Sequence, residues 1–119
     1  MGADGDLPPI APALMRLCGS NAADVFFESP ANPRRLAQAN PADLLPFGTP
    51  QLLISGTLDP FEPPVQKADY MSRVKGAGDR VDELTIADAG HFEVIAPGSM
   101  AWPRVRAAIL GFARVASAK

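Results

Sequence analysis

Two side chains in the second half of the chain have the residue types needed for proton transfer. His91 lies in the segment DAGHFE and is the only histidine of the 119 residues, so any imidazole chemistry must use it. Asp59 lies earlier, in the segment LLISGTLDP. A carboxylate beside an imidazole holds the ring in one tautomer and stabilises it when it takes up a proton. Whether Asp59 and His91 can meet depends on the elements that carry them.

Each of these residues follows a segment with the pattern of a β-strand. Residues 51–55, QLLIS, contain an unbroken apolar run that suits a strand covered on both faces. Residues 82–87, DELTIA, alternate apolar and polar side chains, as expected for a strand with one fully buried face. Asp59 and His91 therefore come just after consecutive predicted strands.

Helical spacing of apolar residues predicts four helices, at residues 9–17, 33–39, 64–75 and 99–116. Glycine-containing segments end the first and third of them, and a turn follows the second. The side chains expected to face the core are Val65, Ala68, Met71 and Val74 in the third helix, and Trp102, Val105, Ile109 and Phe112 in the last.

The order strand, helix, strand, helix indicates an α/β fold built on a βαβ unit, with two parallel strands and three to four helices. We expect one domain, in which residues 1–18 carry a helix, residues 19–50 are irregular with a short helix, and residues 51–119 form the βαβα unit. Parallel strands end at the same edge of the sheet, about 4.8 Å apart. The loops carrying Asp59 and His91 should therefore be neighbours.

Composition excludes several classes of function. The net charge is -2, the pI is about 5.2 and no basic run exceeds two residues, so a nucleic-acid partner is not expected. Cys18 is the only cysteine, and one histidine with one cysteine does not supply a zinc or iron site. We therefore expect no cofactor and no metal. The absence of a signal peptide or a long apolar run indicates a cytoplasmic protein that is not membrane-bound.

Simpler interpretations of the two residues stay open from the sequence. An aspartate before a proline is a common turn residue, and Asp59 precedes Pro60. A single histidine after a glycine can be a hydrogen-bonded loop residue. The placement of both residues after consecutive strands favours the pair.

The segments FGTPQLLISGTLDPFEPP and DAGHFEVIAPGSMAW, followed by an amphipathic helix, resemble the C-terminal part of an α/β-hydrolase of the bacterial esterase and prolyl-oligopeptidase-like branch. The similarity extends upstream through PADLLPFG and covers residues 20–115. The resemblance implies that Asp59 is the acid of a catalytic triad and that His91 is its general base. It also implies that Gly56 permits the tight turn after the strand and that Gly90 permits a close approach of the His loop.

The chain departs from that family at the nucleophile. The family places its serine in a G-x-S-x-G elbow ahead of the acid, and this sequence contains no such elbow. The family's earlier strands and oxyanion-hole loop also have no counterpart. Three serines are weak candidates: Ser20 precedes the acid, Ser99 lies near the His loop and Ser55 lies near Asp59. Ser99 also suits a helix N-cap, and Ser20 suits a loop that ends a helix.

Two classes of function follow from the sequence. One is a carboxylic-ester hydrolase acting on a small ester, with His91 as the base, Asp59 orienting it and a serine nucleophile. The other is a non-catalytic remnant or fragment of such a hydrolase that acts through self-association or partner binding. Either way we expect a homodimer, because the apolar strand 51–55 has no charge, proline or bulge to protect an open edge.

Overall fold

The computed structural model describes residues 33–117, which form a mixed α/β structure with two strands and three α-helices. The elements in chain order are α1 (Pro33–Ala39), a 3-10 helix (Pro41–Leu44), β1 (Gln51–Gly56), α2 (Pro64–Gly76), β2 (Val81–Ile86), a second 3-10 helix (Glu93–Ile95) and α3 (Trp102–Ser117). The predicted helix at residues 9–17 and the candidate Ser20 lie outside the described residues. None of the helices within residues 33–117 is long and apolar enough to cross a membrane.

The two strands pair in parallel, as the βαβ order predicted. Gln51 lies opposite Val81 and Gly56 lies opposite Ile86, so the strands are in register over their whole length. Each predicted element from residue 33 onward is present, with ends that differ by at most three residues. The largest difference is at α3, which begins at Trp102 rather than at residue 99.

One face of the sheet packs against α2. Leu53 of β1 and Val81 of β2 form a buried cluster with Tyr70 and Val74 of α2. The predicted core face of this helix was wrong at its beginning, because Val65 is 79% exposed and Ala68 is exposed as well. A helix turns every 3.6 residues, so three successive steps of three residues place Val65 on the side opposite Val74. Tyr70, four residues before Val74, takes the inward position instead.

The other face of the sheet packs against α3. Ile86 forms a second buried cluster with Ala89, Ala101 and Val105, and Ile54 and Trp102 pack against it. The inward positions predicted for Trp102 and Val105 are confirmed, and Phe112 is half-buried. Ile109 is 44% exposed, because it borders an open cavity rather than the packed cluster. The strand β1 is therefore covered on both faces, as its continuous apolar run predicted.

The loops that follow the two strands are joined by backbone hydrogen bonds. Thr57 N–H donates to the Ile86 carbonyl at 3.0 Å, and Leu58 N–H donates to the Ala89 carbonyl at 2.9 Å. The Asp88 N–H donates to Thr57 Oγ1 at 2.9 Å. These bonds continue the parallel pairing beyond the strands, so the acid loop and the His loop are fixed relative to one another.

Gly56 is required where these loops meet. A Cβ atom at this position would lie 2.0 Å from the Ala89 carbonyl oxygen, far inside van der Waals contact. A Cβ at Gly90 would meet only the carboxylate tip of Glu93, a flexible side chain that can move. The close approach of the His loop therefore depends on Gly56 rather than on Gly90, contrary to the expectation from the family resemblance.

We expect Gly56→Ala to lower the free energy of unfolding by about 1–3 kcal/mol, as overpacking of a close contact does. The control is Gly76→Ala, since a Cβ there meets nothing within 4 Å. That substitution should be neutral or slightly stabilising, because it restricts only the unfolded chain. Urea unfolding of the two variants measures the difference. Equal stability of both variants would show that the loops do not approach as closely as described.

Candidate active site

Asp59 is fixed by a turn of its own loop. Its N–H donates to the Gly56 carbonyl at 3.2 Å, and its Oδ1 accepts a hydrogen bond from the Phe61 N–H at 2.8 Å. This second contact is the Asx turn that aspartate favours, so the simpler interpretation of Asp59 as a turn residue is also correct. The turn uses one carboxylate oxygen and leaves Oδ2 for a second partner.

That partner is His91. Its Nδ1 lies 2.7 Å from Asp59 Oδ2, and the Asp59 side chain is 2% exposed whereas the His91 side chain is 31% exposed. A carboxylate only accepts hydrogen bonds, so this contact requires the proton of the neutral ring on Nδ1. The lone pair is then on Nε2, and no other residue within 33–117 bonds to that nitrogen. The structure thus brings together the two residues that the sequence singled out.

Two aromatic rings hold the plane of the imidazole. Phe61 contacts it edge-on, with ring centroids 5.0 Å apart and an interplanar angle of 66°. Phe92 does the same from the His loop, at 5.1 Å and 85°. Edge-to-face contacts of this kind are favourable between aromatic rings. The imidazole is therefore oriented by its hydrogen bond and by two rings, which the sequence did not predict.

His91 opens onto a cavity of about 490 Å³ between β1 and α3. Asp59 and Glu62 are the carboxylates that border it. The rest of the lining is apolar and comes from β1, the second 3-10 helix and α3: Leu52, Leu53, Ile54, Val94, Ile95, Trp102, Val105 and Ile109. Trp102 thus combines the core role expected from the sequence with a position in the cavity wall. A cavity with apolar walls and a few convergent polar groups is typical of a small-molecule site.

Glu62 is the site residue that sequence reasoning missed. It is buried, at 9% exposure, and one of its carboxylate oxygens lies within 4.8 Å of ligand atoms of both Asp59 and His91. The available signal was a second acidic residue three positions after Asp59. A glutamate before two prolines carries no motif, so this proximity becomes visible only when the loop is folded.

Neither of the two serine candidates within residues 33–117, Ser55 and Ser99, forms a hydrogen bond with His91. Ser55 is buried and its Oγ accepts a hydrogen bond from Lys67 Nζ at 3.0 Å, on the α2 face of the sheet. His91 borders the cavity on the α3 face, so Ser55 and His91 lie on opposite faces. Ser99 Oγ donates to the Glu93 carbonyl at 2.6 Å, which ties it to the second 3-10 helix. Its side chain does not cap α3, which begins three residues later.

Comparisons with known proteins add nothing to this picture: no protein-family model, no curated protein and no solved structure matches the chain. The interpretation of the site therefore rests on its own geometry.

A double-mutant cycle with Asp59→Asn and His91→Ala should give a coupling free energy of about 1.5–3 kcal/mol, as for a sheltered hydrogen bond to a charged group. The comparison is the exposed Arg80–Asp82 pair, whose 2.6 Å contact is shorter but whose side chains are each 42% exposed. For that pair we expect less than about 1 kcal/mol. Chemical denaturation of the single and double variants measures both values. A coupling at Asp59–His91 no larger than at Arg80–Asp82 would contradict the described burial.

Proposed function

We propose that this protein is a carboxylic-ester hydrolase in which His91 is the general base and Asp59 orients it. The observation that carries the proposal is the 2.7 Å contact between His91 Nδ1 and the buried Asp59 Oδ2 beside a cavity with apolar walls. This is the arrangement in which a carboxylate keeps an imidazole in the tautomer needed to accept a proton. The parallel strands that carry the two loops support the proposed likeness to the acid and His loops of an α/β-hydrolase.

The proposed reaction passes through an acyl-enzyme. His91 Nε2 takes the proton of a serine hydroxyl while the serine oxygen attacks the ester carbonyl carbon. The tetrahedral intermediate then expels the alcohol, which receives that proton from His91. Water repeats the sequence on the acyl-enzyme, releasing the carboxylic acid and restoring the serine. Asp59 stabilises the imidazolium at both proton transfers and does not itself take up the proton.

The cavity supports a small ester with an apolar acyl or alcohol group as the substrate. Leu52, Ile54 and Ile109 offer hydrocarbon surface beside the base, and burial of apolar surface is favourable by about 25 cal/mol per Å². We place this activity in the cytoplasm, on the basis of the sequence features noted above. No cofactor takes part in the proposed steps.

Ser20 is our first choice for the nucleophile, because it keeps the family's order of nucleophile, acid and histidine. Ser99 follows, because it lies in the chain shortly after the His loop. Ser55 is last, since its hydroxyl is buried against Lys67 on the other face of the sheet. A serine-directed phosphonate followed by peptide mass spectrometry would identify the labelled hydroxyl. Hydrolysis without any labelled serine would favour His91 acting directly on water.

We expect His91→Ala to reduce kcat for a short-chain aryl ester by orders of magnitude, because the base is removed. Asp59→Asn should reduce it as well, since an amide can bond to the wrong tautomer of the ring. Asp88→Asn is the control: it removes a carboxylate from an exposed position with φ of 60°, a conformation that asparagine tolerates. Its rate should equal that of the parent. Unchanged rates in both His91→Ala and Asp59→Asn would refute the assignment.

A second candidate function, association with another copy of the chain, is favoured by the edge of the sheet. Within residues 33–117, β1 pairs with β2 alone, so its other edge has no partner among these residues. Gln51 N–H donates to the carbonyl of Arg80, the residue before β2, and Thr57 N–H donates to the Ile86 carbonyl at its end. Alternate residues of β1 therefore direct their N–H groups toward β2. The N–H groups of Leu52 and Ile54 therefore point to the other edge, where a second β1 could pair.

Leu52→Pro tests this edge without breaking the β1–β2 ladder, because it removes an N–H that points away from β2. We expect the parent chain to be a dimer in sedimentation and the Leu52→Pro variant to be a monomer. Leu52→Ala removes the same side chain but keeps the N–H, so it should remain dimeric. Leu53 is less suitable, because it is 7% exposed within one chain and its substitution by lysine would test folding instead. A monomeric parent at high concentration would contradict the association.

A further inference from the structure

We propose that Asp59, Glu62 and His91 form a binding site for a divalent transition-metal ion, with Zn²⁺ as the best-suited cation. The same imidazole cannot ligate a metal ion and act as the general base of the proposed hydrolysis at the same time. The inference rests on the proposed function only where it concerns inhibition. The binding itself follows from the geometry of the three side chains.

The ligand atoms of the three residues are gathered in one small region. One atom from each of the three residues lies within 4.8 Å of the others. Zinc binds nitrogen and oxygen ligands at about 2.0–2.2 Å, so two ligands of one tetrahedral ion lie about 3.4 Å apart. The most widely separated of these atoms would therefore have to approach by up to about 1.4 Å when the ion binds.

The environment of the three ligands differs from that of a surface acidic cluster. The Asp59 side chain is 2% exposed, Glu62 is buried and a neutral imidazole supplies the third donor. When ionised, two carboxylates match the charge of a divalent cation in a region that water screens poorly. The Phe61 N–H that binds Asp59 Oδ1 is the kind of outer contact that orients a ligating carboxylate.

The ligand types select among cations. An imidazole nitrogen suits zinc, copper, iron and nickel, whereas magnesium and calcium prefer oxygen ligands alone. Three protein ligands leave at least one coordination position, and the adjoining cavity gives water access to it. The sequence predicts no zinc site because one histidine and one cysteine are too few ligands. The sequence does not reveal that folding brings Glu62 to His91.

Metal binding would remove the general base whichever ring nitrogen is used. Coordination through Nε2 occupies the lone pair that accepts the proton. Coordination through Nδ1 places the ring proton on Nε2, which then has no lone pair. Coordination through Nδ1 replaces the hydrogen bond with Asp59, whereas coordination through Nε2 keeps it, because a ligating imidazole commonly donates its other N–H to a carboxylate. Zinc is therefore expected to inhibit any hydrolysis that depends on His91.

Isothermal titration of the apo-protein with Zn²⁺, in a Cys18→Ser background that removes the only thiol, tests the site. We expect one ion per chain and an affinity for Mg²⁺ that is far lower. Glu62→Gln and His91→Ala should each weaken zinc binding about tenfold or more, at or above the loss typical of removing outer contacts. Glu83→Gln, which removes an exposed carboxylate from β2, should bind zinc like the parent.

The results separate this inference from the proposed function. No zinc binding by the folded parent, or equal binding by the parent and both ligand variants, would overturn the metal site whether or not esters are hydrolysed. Circular dichroism of Glu62→Gln and His91→Ala establishes that each is folded, and His91 is the more exposed of the two positions. Zinc binding that depends on both residues in a chain without esterase activity would uphold the site and refute the hydrolase.

Discussion

Parallel pairing of β1 with β2 is the constraint on which the site depends. It brings the ends of both strands to one edge of the sheet, and the bonds from Thr57 and Leu58 to the His loop extend that pairing into the loops. Gly56 makes the extension possible because the Ala89 carbonyl occupies the space that a side chain would need. Asp59 and His91 meet because the backbone bonds between their loops hold the two residues side by side. Their own hydrogen bond depends on that placement.

Burial strengthens the hydrogen bond between Asp59 and His91, because water does not compete for the carboxylate. A carboxylate that is 2% exposed loses its hydration, and the Phe61 N–H and the imidazole are the donors that replace it. Because Asp59 Oδ1 accepts the Phe61 N–H, Oδ2 has a fixed direction. Its contact with Nδ1 favours the tautomer of neutral His91 that carries the proton on that nitrogen. Glu62 lies in the same sheltered region, within 4.8 Å of ligand atoms of both residues, and this is the geometry on which the proposed metal site rests.

The sequence predicted the fold of residues 33–117 well where pattern and geometry coincide. The strands, their parallel order and the pairing of Asp59 with His91 follow from apolar runs and from the rule that parallel strands end at one edge. The sequence did not predict features that depend on the angle between successive residues of a helix or on the conformation of a loop. A strict three-residue repeat predicts that Val65 faces the core with Val74, but the 3.6-residue turn of a helix places these two side chains on opposite sides. Glu62, Phe61 and Phe92 were missed because their roles exist only once two loops are folded together.

Nitrogen-15 NMR of the imidazole tests the central claim most directly, and the single histidine makes its signals unambiguous. At a pH where the ring is neutral, we expect a proton on Nδ1 and a lone pair on Nε2, because Asp59 can only accept a hydrogen bond. Asp59→Asn should abolish that preference. A neutral ring in the parent protein with its proton on Nε2 would contradict the account, since Asp59 would then not orient His91 as a base.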